Sequence, residues 1–177
     1  MPLAAQVPSS TLVTVSTLDY LRGVGVEVSH QELSLGSAAW PSANLGISCP
    51  LYLEMGGLVV KLFVANGSTV NGNMDVGLYT AAYAKIVAIG ATAQAGTSDL
   101  QAFDITDTYV GPGQYYLIAS SSSGTATTVR AQNNLNQMRA WGVTQMAAAH
   151  ALPATFVPAT VGQGYLPLMG LTLRTVV

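Results

Sequence analysis

Charge is what this sequence has least of. Among its 177 residues only 8% are Asp, Glu, Lys or Arg, against about 25% in an ordinary soluble domain. A protein that covers itself with Ser, Thr, Asn, Gln, Gly and aliphatic side chains shares much of that surface with neighbours, which points to a component of an assembly. The six basic residues, Arg22, Lys61, Lys85, Arg130, Arg139 and Arg174, are scattered and the net charge is -2. No basic patch exists for nucleic acid or anionic lipid, so neither partner is expected. There is a single cysteine, so an internal disulfide is excluded; Cys49 sits in the alternating run Leu45, Ile47, Cys49, Leu51, Leu53 and reads as a buried structural thiol. No apolar run approaches the roughly 18 residues of a membrane span. Met1-Pro2-Leu3-Ala4-Ala5-Gln6 has neither the basic nor the apolar region of a secretory signal, and reads as mature protein.

What the sequence does have is strand grammar. Asn71-Gly72 is a turn dipeptide, and after it Met74, Val76 and Leu78 alternate with Asp75, Gly77 and Tyr79, the pattern of a half-buried strand. The same rhythm recurs in Leu45 to Leu53, Ile86 to Ile89, Leu100 to Ile105, and Gln114 to Ser120 after the turn Gly111-Pro112-Gly113. In Leu58-Val59-Val60-Lys61-Leu62-Phe63-Val64 both parities are apolar, which suits a central strand covered on one face by a second sheet and on the other by a neighbour or an arm. Ser120 to Gly124 reads as a hairpin connection into Thr125 to Arg130, and one or two helical turns fit between Asn133 and Ala149. The tail from Tyr165 to Val177 reads as closing strands, the last pairing near the N-terminal half of the domain. With half of its residues hydrophobic the chain can bury a sizeable core. The expected fold is an all-β, jelly-roll-like β-sandwich over 39–177 with an extended N-terminal arm over 1–38. That arm is either laid on the body or a neighbour through pieces such as Thr11 to Val15, or a plain disordered terminus.

No constellation for catalysis, cofactor binding or metal binding is expected. The four serines at 120–123 lack the flanks of a nucleophile elbow. His30 and His150 are far apart in sequence and neither has a second ligand at metal spacing. His30 and Glu32 read as a solvated edge pair, and no motif singles out two of Glu27, Glu32 and Glu54 as glycosidase carboxylates. Asp75, Asp99, Asp104 and Asp107 could ligate calcium at turns, although local capping of backbone groups is the simpler use of such residues. Among the aromatics Trp40, Tyr52, Tyr79, Tyr83, Tyr109, Tyr115 and Tyr116, Tyr79 and Tyr109 are candidate glycan contacts, and Tyr115 and Tyr116 fall on opposite faces of one strand.

Val70 to Tyr79, Ile89 to Gln94, Asp104 to Thr108 and Gly111 to Leu117, with Ala39 to Asn44 and Tyr165 to Leu168, resemble small virion-associated proteins found among tailed-bacteriophage structural genes. The resemblance spans about 39–170. It implies a non-enzymatic β-sandwich mounted on a phage particle, as capsid decoration or as a tail-tip or fibre protein, with other virion proteins as partners and a virion location. A trimer follows by analogy with virion spikes. The expected subunit contacts are Leu12, Val13 and Val15 of the arm with Leu62 and Phe63 of the two-sided strand. Tyr83-Ala84-Lys85 departs from the family's Gly-containing turn, which implies a differently shaped hairpin. The competing reading is a carbohydrate-binding or host-receptor-binding module that contacts a host surface glycan.

Overall fold

Strand pairing in the computed structural model is nested, the first strand with the last and the second with the tenth. The structure describes residues 10–17, 36–132 and 134–176. The strands are β1 (Ser10–Ser16), β2 (Gly36–Ala39), β3 (Gly46–Leu53), β4 (Gly57–Ala65), β5 (Asn73–Thr80), β6 (Lys85–Ala88), β7 (Thr92–Ala93), β8 (Leu100–Val110), β9 (Gly113–Ser121) and β10 (Thr127–Gln132). After the helix α1 (Leu135–Ala140) come β11 (Thr144–Met146), β12 (Ala159–Thr160), β13 (Leu166–Pro167) and β14 (Met169–Val176). One sheet runs β1-β14-β4-β8; the facing sheet runs β12-β11-β3-β9-β5-β6, with β7 also on β5. The antiparallel pairs β1/β14, β3/β9, β4/β8 and β5/β6 are the wrapping of a jelly roll.

Side-chain parity explains why these two sheets face each other. Ile47, Cys49, Leu51 and Leu53 of β3, Met74, Val76 and Leu78 of β5, and Leu117 and Ala119 of β9 point inward. They meet Val59, Leu62 and Val64 of β4 and Met169, Leu171 and Leu173 of β14 in one buried cluster. The spacing on β4 is irregular for a physical reason: a bulge between Val59 and Lys61 shifts the register against both β8 and β14. Val60 is the extra residue, so the inward phase passes from Val59 to Leu62. The apolar residues at both parities therefore do not require a covered outer face, contrary to the sequence reading. Lys61 points outward and is exposed. Phe63 is buried on the outer side, its ring lying over Gly170 of β14.

The larger sheet, by contrast, is covered on its outer face. The chain between β9 and β14 folds back across it and buries Tyr79, Ile118, Ala149, Leu152 and Phe156 in a second cluster. Backbone bonds pin this layer down: Lys85 N–H donates to the Ala154 carbonyl, Phe156 N–H to Tyr83 and Ala149 N–H to Asn44. As a result β5 is buried on both faces, where alternation alone reads it as half-buried. A small third sheet, β13-β10-β2, closes one end around Trp40. The Trp40 indole N–H donates to the Leu45 carbonyl at 2.9 Å and packs edge-on against Tyr165.

Three expectations are corrected here. Among the described residues the stretch 10–16 is an edge strand of the sandwich, paired with β14 along its full length, and 36–38 belong to β2, paired with β10, so a domain boundary at 38/39 cuts through the fold; residues 1–9 and 18–35 of the expected arm lie outside the described residues. Ser120 and Ser121 belong to β9, and β10 pairs with β2 and β13 instead of forming a hairpin with it. The strand expected to end at Ile105 continues to Val110 across its own irregularity opposite Val60. The helical turns fall at 135–140, capped by the Asn134 side chain, which accepts from Asn136 N–H and Gln137 N–H.

Candidate functional site

The two outer surfaces of the sandwich differ in chemistry. Across the four-stranded sheet, Leu12, Arg174, Leu58 and Tyr109 stand side by side on successive strands. This face also carries the ion pairs Lys61–Asp104 at 3.0 Å and Arg174–Asp107 at 2.6 Å. Both are exposed, and pairs of that kind contribute about 0–1 kcal/mol; they mark the face as hydrated. The acidic residues considered for calcium are thereby dispersed. Asp104 and Asp107 each face a cation, Asp99 accepts from Leu100 N–H, and Asp75 lies on the other sheet. No group of three or more His, Cys, Asp or Glu side chains forms among the described residues.

Of the expected subunit contacts, Leu12 is 64% exposed and Val13 37%, while Val15 is half-buried against the core. Leu62 is fully enclosed between the sheets; it is consumed by the subunit's own core and is removed from the contact set. Phe63 is spent in the same way against Gly170. Of the two candidate glycan contacts, Tyr109 is exposed, whereas Tyr79 is wholly buried and its hydroxyl donates to the Pro153 carbonyl at 2.6 Å. Tyr79 is therefore a rivet between the large sheet and its covering layer. Burial of Cys49 raises its thiol pKa far above the ordinary value, which leaves it unreactive. His30, Glu27 and Glu32 lie outside the described residues, and Glu54 is an exposed turn residue.

Beneath the covering layer lies a polar group that alternation alone did not reveal. Asp75 on β5 stands directly opposite Ser120 on β9, and the Ser120 hydroxyl is 3.1 Å from His150 Nδ1. Asp75 Oδ2 accepts from Leu152 N–H at 2.8 Å, while among the described residues Asp75 Oδ1 and His150 Nε2 are buried with no close hydrogen-bond partner. Burial raises the Asp75 carboxyl pKa, opposed by the Leu152 bond and by the nearby His150 and Lys85. A serine, a histidine and an aspartate are thus neighbours, but Ser120 is fully buried and the aspartate bonds backbone instead of the imidazole. Nucleophilic acyl transfer needs a reachable hydroxyl and a base oriented by the carboxylate. Neither condition is met, and the trio works as an internal polar clamp. One sequence cue for it existed: Asp75 shares its face with Gly77 and Tyr79, a mixture unusual for open solvent.

The β5–β6 connection turns on Tyr83. Tyr83 adopts φ 61°, in the left-handed region that bulky residues avoid. Its ring stacks on Tyr116 at 4.1 Å and on Phe156 at 5.9 Å, and those contacts hold the unfavourable backbone in place.

No protein family matches the chain, and no curated protein matches it by sequence. Loose likenesses exist among solved structures. The T13 viral particle of infectious bursal disease virus gives a TM-score of 0.36 at 9% identity, covering 98% of this chain and 42% of that one. The VP2 subviral particle of the same virus gives 0.34 at 10% identity, covering 98% and 44%. The T=1 particle gives 0.36 at 10%, covering 98% and 43%. The present chain spans less than half the length of those proteins. Superposition this loose carries no weight for function, and the jelly roll rests on the strand register alone.

Proposed function

We propose that this chain is a non-enzymatic structural subunit of a virus particle, built to associate with copies of itself and with other particle proteins. The observation that carries the reading is β1. Among the described residues it is an edge strand of sequence Ser-Thr-Leu-Val-Thr-Val-Ser with no charge and no proline, and it leaves Leu12 and Val13 exposed there. Soluble proteins protect strand edges with charge, proline or bulges, because an unprotected edge pairs with another chain. An edge of this kind fits continued pairing or packing against a neighbouring subunit. The scarcity of charge over the whole chain supports the same conclusion. The sequence resemblance adds a finer reading: the particle is a tailed bacteriophage and the subunit a trimeric decoration, tail-tip or fibre protein. Quantitative mass spectrometry and immunogold labelling of purified particles test this. Hundreds of copies on the shell assign a decoration role and a few at the tail end assign a tip or fibre. Absence from the particle contradicts the reading.

A further inference from the structure

Two hollows on the outer face of the larger sheet meet at Gly142. The first, of about 320 Å³, is lined by Pro50, Tyr52, Gln114, Tyr116 and Trp141 together with Gly142. The second, of about 340 Å³, is lined by Tyr83, Arg139, Thr144, Pro158 and Thr160, again with Gly142. The stacked rings of Tyr83 and Tyr116 contribute one ring to each hollow. At Gly142 the backbone has φ +74°, a left-handed conformation that calls for glycine at the junction. The two hollows thus adjoin at Gly142, with Tyr52 lining one and Arg139 the other.

The chemistry of the walls selects the class of ligand. Aromatic rings line both hollows, and the Tyr52 ring is 65% exposed, so it is available to stack on a ligand. Gln114 and the exposed Thr160 offer neutral donors and acceptors, whereas the Thr144 hydroxyl is bonded to Ser48. Among the described residues, the one charged side chain lining either hollow is Arg139. It is exposed and forms no ion pair among the described residues, while its Nε–H donates to the Val161 carbonyl at 3.0 Å and fixes the side chain at the rim. Rings that take the C–H faces of sugars, amide and hydroxyl groups that take their hydroxyls, and one cation at the end fit a saccharide chain bearing an acidic unit.

We propose that these adjoining hollows bind an oligosaccharide, with Tyr52 stacking on a sugar face and Arg139 pairing with a carboxylated or sulfated sugar. The site is distinct from Tyr79, which is buried, and from Tyr109, which lies on the opposite sheet. It stands whether or not the chain resides on a particle. The test is a glycan array carrying neutral and acidic oligosaccharides, followed by calorimetric titration of a retained glycan into the full chain and three variants. An acidic glycan is expected to be retained, with Tyr52→Ala weakening binding about tenfold. Arg139→Gln is expected to weaken it by a similar factor in a salt-dependent way, and Tyr109→Ala to leave it unchanged. All three side chains are exposed, and equal melting temperatures verify that the variants fold. Retention of no glycan, or binding insensitive to both Tyr52→Ala and Arg139→Gln, overturns the proposal.

Discussion

Phe156 is the plug that fastens the covering layer to the larger sheet, and Phe156→Ala tests that arrangement quantitatively. The ring is 1% exposed, meets Tyr79 edge-on at 6.4 Å and stacks with Tyr83 at 5.9 Å. Truncating a buried phenylalanine costs about 3–5 kcal/mol in lost burial and residual cavity. Tyr83 adds to this, because its left-handed backbone loses one of the two stacking partners that hold it. For a domain of this size each kcal/mol lowers the melting temperature by about 2–4 °C, so calorimetry should show a fall of roughly 10 °C. Hydrogen exchange gives the local readout: Leu152 N–H, held by Asp75 Oδ2, should exchange faster in the variant. A melting shift under about 2 °C with Leu152 protection unchanged would refute the idea that this layer is packed onto the sheet.

Gly170→Ala probes the pairing of β1. A methyl group at Gly170 would run into the Val15 carbonyl oxygen and the Phe63 ring, and because one of these is backbone the strand must shift, at about 1–3 kcal/mol; an unchanged denaturation midpoint would show that β1 does not sit there. Asp75 gives a pH test. Its folded-state pKa is raised above 3.8 by burial, so its contribution to stability is full below 3.8 and is lost as pH rises through the raised value. Denaturation midpoints across pH 4 to 8 should therefore show a component falling with pH that Asp75→Asn removes, and equal slopes in the two proteins would contradict the burial of this carboxyl.

What could be read from the sequence was local. The Asn71-Gly72 turn and the alternation that follows define β5, and Gly111-Pro112-Gly113 defines the approach to β9, because turn chemistry and period-2 patterning act within a few residues. The jelly-roll class follows from many such strands, together with a tail that pairs near the N-terminal half. Misreadings arose where a distant segment decides the outcome. Val60 bulges because both of its neighbours shift register around it, and nothing in Leu58 to Val64 signals that. Tyr79 looks like a surface aromatic until residues near 153 close over it. For the same reason Asp75, Ser120 and His150 could not be recognised as neighbours: Asp75 and Ser120 meet by cross-strand register, and His150 arrives on the covering layer. The hollows at Gly142 were likewise invisible, since Tyr52, Gln114 and Trp141 come together from β3, β9 and the end of α1.

Association of the chain with itself is the centre of the proposed role, and sedimentation equilibrium of the purified full chain measures it directly. The expected result is a single species at three times the chain mass at micromolar concentration. Leu12→Lys places a charge on the exposed edge of β1 without touching the core and should shift the population toward monomer. A monodisperse, soluble monomer at high concentration, unaffected by Leu12→Lys, would contradict the proposal that this protein works as an assembly subunit.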